Sequence, residues 1–252
     1  MKKTLIALAV AASAAVSGSA MAWTANGTGG SVDLGGTLTP VEKVTPWEVK
    51  VGTGNNNLNA EIASGQQVVD ITLPSDLLVL GVRSVNGGFS GKVGISPQLD
   101  YGNTLNTNSF SNGLADLTLE VTDTNGNHIG SLSTKLAAGG LQSDSTASSK
   151  ASIIAQNEGD AFWGGIPSSS SAVLNASELA NRVDSTVMEN FLGTSFNQVG
   201  SYANKFTDEA ITFSAYYLSA LLTDNPVNIT LDTAPTSDVT WKAQLPVTVS
   251  YQ

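Results

Sequence analysis

Residues 115–132 read ADLTLEVTDTNGNHIGSL. Ala115, Leu117, Leu119 and Val121 alternate with polar residues, and Ile129 and Leu132 begin a return run after Asn125-Gly126. Side chains two apart share one face of a strand, so such a row marks one buried face and one wet face. Asn-Gly tolerates the positive φ values of a two-residue turn, which predicts a β-hairpin. His128, the single histidine, falls in that turn.

The same period recurs on both sides of the hairpin. Val69, Ile71 and Leu73 alternate before Pro74; further rows are Ile211, Phe213, Ala215 and Tyr217, then Val227, Ile229 and Leu231, then Leu245, Val247, Val249 and Tyr251. Alternation with one polar face predicts an all-β antiparallel sandwich rather than a parallel sheet. The rhythm breaks once. Leu136 to Ser171 is rich in Gly, Ser and Ala, and NASELANRVDSTVMENFLG then spaces Leu179, Val183, Val187 and Phe191 four apart. Asn175 with Glu178 has the form of a capping box, and Gly193 suits the left-handed C′ position. The pattern predicts an amphipathic helix over 176–192, inserted into a β domain. Insertions at one end of a sandwich often carry function.

Residues 1–22, MKKTLIALAVAASAAVSGSAMA, have a basic start, a short apolar run and a small-x-small end at Ala20-Met21-Ala22. That is the form of a signal peptide, so the mature chain is expected to begin at Trp23. Its 230 residues suffice for a real core. The 11 basic and 21 acidic side chains become 9 against 21 when Lys2 and Lys3 leave, a net charge of -12. Such a surface repels nucleic acid and anionic membrane. Cysteine is absent, so stability must come from packing and backbone pairing. With one histidine and no thiol, a catalytic triad has one possible base and a zinc site lacks its usual ligands. His128 reads as a solvated turn residue, Asp123 to Asn125 is a poor calcium loop, and residues 52–59 and 168–171 read as solvated loops. No catalytic residue, metal or cofactor is expected.

Both ends of the mature chain carry strand patterns. GGSVDLGGTL, residues 29–38, alternates Gly30, Val32, Leu34, Gly36 and Leu38; WKAQLPVTVSYQ, residues 241–252, carries its apolar row almost to the terminus. Two readings stay open. The two strands could close one sheet within a chain, or each could serve a different chain, making the protein a polymer subunit completed by strand addition.

Trp23, the Gly30–Gly36 strand, Trp47-Glu-Val-Lys-Val-Gly-Thr-Gly54, Phe162-Trp-Gly-Gly-Ile-Pro167 and the Trp241–Tyr251 terminus resemble, in order and spacing, the FaeG-like subunits of bacterial chaperone-usher fimbriae. The resemblance implies an incomplete immunoglobulin-like sandwich with a small helical insertion. A periplasmic chaperone would lend the missing strand, an outer-membrane usher would export the subunit to a cell-surface fimbria, and the next subunit's N-terminal extension would replace the chaperone. On this reading residues 23–40 are the donor extension and 41–252 the pilin domain. Gly30, Val32, Leu34, Gly36 and Leu38 would enter a neighbour, and Leu245, Val247, Val249 and Tyr251 would edge the groove and meet the chaperone. Two features depart from the wider pilin pattern: no disulfide, and Val239 where a glycine stands 14th from the end. Pro246 lacks a backbone donor, so its position must face away from a ladder.

The resemblance also implies adhesion to host glycans through the helix-bearing insert, which corresponds here to residues of about 141–200, with Trp163 stacking on a sugar and Asn157, Asp160 and Asn181 as hydrogen-bonding candidates. The competing reading of FWGGIP is a strand ending at a Gly-Gly turn with a core tryptophan. Two alternative classes are a monomeric exported carbohydrate-binding protein, which needs a self-complete sheet, and an exported hydrolase, which needs paired acids that a chain only 13% charged hardly supplies.

Overall fold

The computed structural model describes residues 25–26, 28, 34–39, 44–146 and 148–252. The leader, Gly30 and Val32 lie outside them. The chain divides into two units, Met1–Lys43 and Val44–Gln252, and every described strand and helix belongs to the second. Its strands are β1 (Trp47–Val51), β2 (Val68–Ile71), β3 (Leu77–Ser84), β4 (Phe89–Ser90), β5 (Pro97–Asp100), β6 (Leu105–Ser111), β7 (Leu114–Thr122), β8 (His128–Asp144), β9 (Ser149–Ile153), β10 (Asn197–Tyr202), β11 (Thr212–Leu221), β12 (Val227–Leu231), β13 (Lys242–Ala243) and β14 (Thr248–Tyr251). One α-helix, α1 (Ala176–Val183), lies between β9 and β10. The unit is an immunoglobulin-like sandwich with a small helical insertion.

The hairpin read from residues 115–132 is its spine. β7 and β8 pair antiparallel from Leu114 with Ala137 to Thr122 with His128. Their connection runs from Asp123 to Asn127, longer than the two-residue turn expected. Asp123 Oδ1 accepts the N–H groups of Asn125 at 2.8 Å and Asn127 at 2.9 Å, so a side-chain turn takes over the backbone bonds a tighter turn would have made. His128 is exposed there, its Nδ1 3.0 Å from Glu120 Oε1.

β8 continues to Asp144, into the stretch rich in Gly, Ser and Ala where the alternation breaks. Small residues occur here because other elements come close. A Cβ at Gly139 would lie 2.8 Å from Leu174 Cδ1, and one at Gly140 2.7 Å from the Tyr216 carbonyl oxygen. One flank of β8 pairs with β12 and then β11, the other with β7 and then β9. β3 and β1 extend the sheet beyond β11, and β2 ends it beyond β12. The expected insert of 141–200 therefore starts as sheet: it contributes the end of β8, β9, and a parallel pairing of β9 with β10.

Both faces of the central strands are covered, which the alternating pattern of β11 does not foretell. Phe213 to Ala220 are all buried. On one face Tyr217, Leu117, Val121 and Phe162 join the main core; on the other Tyr216, Leu218, Leu141 and Ala137 pack under Leu179 and Ala180 of α1. The main core holds an aromatic group in which Trp47 lies 4.9 Å from Phe89 and 5.7 Å from Phe162. Tyr101 Oη bonds Tyr217 Oη at 2.8 Å and Ser219 Oγ at 2.9 Å, and Tyr217 Oη donates to the Gly165 carbonyl at 2.9 Å. Burial pushes the Tyr101 hydroxyl up to about 12 and that of Tyr217 up as well, so both stay neutral donors.

α1 is shorter than the predicted 176–192. Its start is as read: Asn175 Oδ1 accepts from the N–H groups of Ser177 and Glu178, and Asn175 Nδ2 donates to Glu178 Oε1 at 2.8 Å. The helix ends because Asp184 turns extended (φ -158°, ψ 96°) and caps a separate 3-10 turn, Ser185–Met188, accepting from Thr186 N at 3.0 Å. Gly193 does not take the left-handed conformation expected of it. Arg182 ties α1 to the sheet, bonding both Asp76 oxygens (2.6 and 3.0 Å) and Asp224 Oδ2 (2.5 Å). Asp76 and Asp224 stand in the breaks between β2 and β3 and between β11 and β12, so one guanidinium spans both interruptions.

Candidate functional site

The second layer is thin. β14 pairs antiparallel with β5, Thr248 opposite Asp100 through Tyr251 opposite Pro97, and these two strands form a sheet of their own. Ser96 and Gln252 extend the ladder by exchanging two bonds of 3.0 Å. The other flank of β5 is occupied, since Leu99 N–H donates to the Trp163 carbonyl at 2.8 Å and Phe162 N–H to the Pro97 carbonyl at 2.6 Å. Among the described residues no strand pairs with the other flank of β14.

The side chains of this terminal segment carry the same message. Trp241, Ala243, Leu245, Val247, Val249 and Tyr251 all pack against the main core yet stay only partly buried. The equivalent inward row of β7 is far better covered, with Leu117, Leu119 and Val121 at 0, 6 and 0% exposure. Among the described residues this row faces the core without being sealed over. The segment begins beside β7 through β13 and ends beside β5 through β14. Pro246 sits between the two pairings, where it needs no donor, and packs over Gly102, where a Cβ would lie 2.6 Å from Pro246 Cγ. β2, which also ends its sheet, adds half-buried Val69 to the same core.

At the N-terminal end, residues 34–39 have no regular secondary structure, and Leu34 and Leu38 are 94% and 97% exposed. A Cβ on Gly36 would meet nothing within 4 Å.

The four glycan candidates do not converge. Asn157, Asp160 and Trp163 share one loop, which delivers Phe162 into the main core; Asn181 stands on α1, against the opposite face of the sheet. Asp160 is buried, and its Oδ2 accepts from Gln156 N at 2.9 Å and Asn157 N at 2.8 Å. That carboxylate organises its own loop. Phe162 takes the core position that the alternative reading of FWGGIP gave to the tryptophan, at φ 63° and stacked on Tyr217 at 5.2 Å. Trp163 is thereby turned outward, at 37% exposure. Gly164 is required next: at φ +88° its Cβ would stand 2.0 Å from the Leu99 carbonyl oxygen.

A surface that sequence reading missed lies where the insert joins the sheet. A cleft of about 330 Å³ is lined by Gln142, Ser143, Asp144, Ser149, Ala151, Val199, Tyr202 and Asn204. Tyr202 is 57% exposed. Gln142 is held in place, donating to the Tyr202 carbonyl at 2.9 Å and accepting from Asn204 Nδ2 at 2.8 Å. NQVGSYANK carries no periodic signal because the β9–β10 pairing is bulged between Gln198 and Ser201.

Residues 1–252, the whole chain, match the family described as "Fimbrial, major and minor subunit". The chain belongs to that family. It is 32% identical to K88 fimbrial protein AB and 31% identical to K88 fimbrial protein AC of Escherichia coli, each alignment covering all of both chains. It is also 36% identical to the F41 fimbrial protein of Escherichia coli over 65% of this chain and 64% of that one. The subunit is thus a structural protein of fimbriae rather than an enzyme, and membership implies a secreted, surface-exposed location. Among the described residues no group of three His, Cys, Asp or Glu side chains is placed to hold a metal ion.

Proposed function

We propose that this subunit polymerises by donor-strand exchange. Residues 23–40 of one copy enter the groove along β14 of another, with Leu34 and Leu38 as anchors and Gly36 where the groove admits no side chain. A periplasmic chaperone fills the same groove before assembly, through Leu245, Val247, Val249 and Tyr251, and an outer-membrane usher catalyses the exchange. The observation that carries this reading is the half-buried row from Trp241 to Tyr251, on a terminal segment whose two strands, β13 and β14, are each paired along one flank among the described residues. Fully exposed leucines in a strand-patterned N-terminal segment supply a matching donor, since added strands combine main-chain hydrogen bonds with alternate side chains in pockets. A monomeric binding protein would have no need of either feature.

The test is deletion of residues 23–39. The truncated subunit should still accumulate with its chaperone but fail to enter the preceding subunit, so polymers stop at it. Polymerisation at normal levels would end the donor-strand reading, and loss of the chaperone-bound subunit would make the segment part of its own fold.

The adhesive part of the function is assigned to the insert. Tyr202 in its cleft presents an aromatic face beside fixed amides and hydroxyls, the combination that binds a sugar ring by stacking and directional hydrogen bonds. Trp163 and Asn157 form a separate exposed candidate.

A further inference from the structure

We propose that Asn86, in the turn between β3 and β4, is a site of spontaneous covalent modification, and that the fold protects the same dipeptide at 112–113 and 125–126. Three Asn-Gly pairs lie wholly within the described residues, at 86–87, 112–113 and 125–126. In such a pair the glycine nitrogen, after giving its proton to solvent base, can attack the asparagine Cγ. A C–N bond closes a five-membered imide, the Cγ–NH₂ bond breaks, and ammonia leaves after taking up a proton. Water then opens the ring at either carbonyl, leaving aspartate or isoaspartate at that position. The attack requires a glycine N–H free to lose its proton and space for the ring to close.

Two of the three pairs fail that requirement. Gly113 N–H donates to the Ala172 carbonyl at 2.6 Å, and a Cβ there would lie 2.2 Å from Leu174 Cγ, so the pair is pinned and crowded. Gly126 N–H donates to the Asp123 carbonyl at 3.1 Å, while Asp123 Oδ1 holds the N–H of Asn125 itself. At the remaining pair, Gly87 N–H meets no acceptor among the described residues, both residues are exposed, and nothing lies within 4 Å of a Cβ on Gly87. The turn is closed by its neighbour instead, Gly88 N–H donating to the Val85 carbonyl at 3.3 Å.

The position gives the change a consequence. An isoaspartyl link inserts one methylene into the main chain between Val85, whose N–H bonds the Pro46 carbonyl at 3.0 Å, and Phe89, which packs on Trp47. Either product adds one negative charge to a surface that is already acidic.

The experiment is peptide mapping by mass spectrometry of the full exported protein, held folded in mildly alkaline buffer and, in parallel, unfolded in urea. In the folded protein the peptide containing Asn86 should gain about 1 Da at least about tenfold faster than those containing Asn112 and Asn125, as one retained hydrogen bond and its local structure would impose. In urea the three rates should converge. Asn86→Gln, whose ring closure would be six-membered, should abolish the fast component. Folded-state deamidation at Asn112 or Asn125 as fast as at Asn86, or no convergence in urea, would overturn the proposal.

Discussion

Replacing Leu34 and Leu38 together by serine separates assembly from folding. Both side chains are almost wholly exposed, at 94% and 97%, so the substitution removes no buried surface from the chain that carries it. In a neighbour's groove the same side chains would pass from nearly full exposure to burial. A leucine fully buried contributes about 1.5–3 kcal/mol, so the pair accounts for roughly 3–6 kcal/mol of strand addition. At about 1.4 kcal/mol per factor of ten, that weakens the exchange equilibrium by about two to four orders of magnitude. The assay follows conversion of purified chaperone-bound subunits into polymers by size-exclusion chromatography, with thermal unfolding of each chaperone complex measured alongside. The expected result is near-complete loss of polymer with an unchanged unfolding temperature. Polymer formation within about tenfold of the unmodified protein, far less than that energy demands, would refute the reasoning. So would a lower unfolding temperature of the variant's complex.

On the acceptor side, Val249→Asp places a charge in the half-buried row of β14, and the desolvation cost should prevent the chaperone complex from accumulating; normal yield of the complex in periplasmic extracts would exclude that role for β14. The Arg182 hydrogen bonds hold the Asp76 carboxyl below its ordinary value. A carboxylate depressed in the folded state contributes stability above its unfolded value of about 3.9 and loses it as pH falls through the folded value. Asp76→Asn should therefore lower the unfolding temperature at neutral pH and flatten its acid decline, and parallel pH profiles for the two proteins would show that the clamp contributes nothing. Tyr202→Ala should abolish glycan binding on a glycan array without changing thermal stability, whereas retained binding there, with loss on Trp163→Ala, would move the adhesive surface to the 157–163 loop.

The sequence by itself determined the features that depend on near neighbours along the chain. The rows on β7, β11, β12 and β14 follow from period-2 alternation, because residues two apart must share a face whatever the fold does later. Asn175 could be read as a helix cap because its partners are Ser177 and Glu178, two and three residues away. The end of α1 was less legible: Val187 and Phe191 are buried on the expected side, but Asp184 ends the helix before them with a local bond to Thr186 N that periodicity cannot register. At Leu136–Asp144 the alternation breaks because small side chains there allow close approach by α1 and β11, which composition alone does not show.

Only the tertiary structure decided which faces are covered, which edges stay open and which polar groups are already engaged. Phe162 and Trp163 are adjacent and similar in chemistry, and their opposite fates depend on Tyr217 and Leu99, far away in sequence. Asp160 looked available until its own loop was seen to consume its carboxylate. The C-terminal row announced itself as a strand in the sequence, but that among the described residues it has neighbouring strands on one flank alone is a fact about β5 and β7, more than a hundred residues earlier. Pairing across such distances is fixed by which surfaces the whole chain leaves exposed, and no local pattern encodes that.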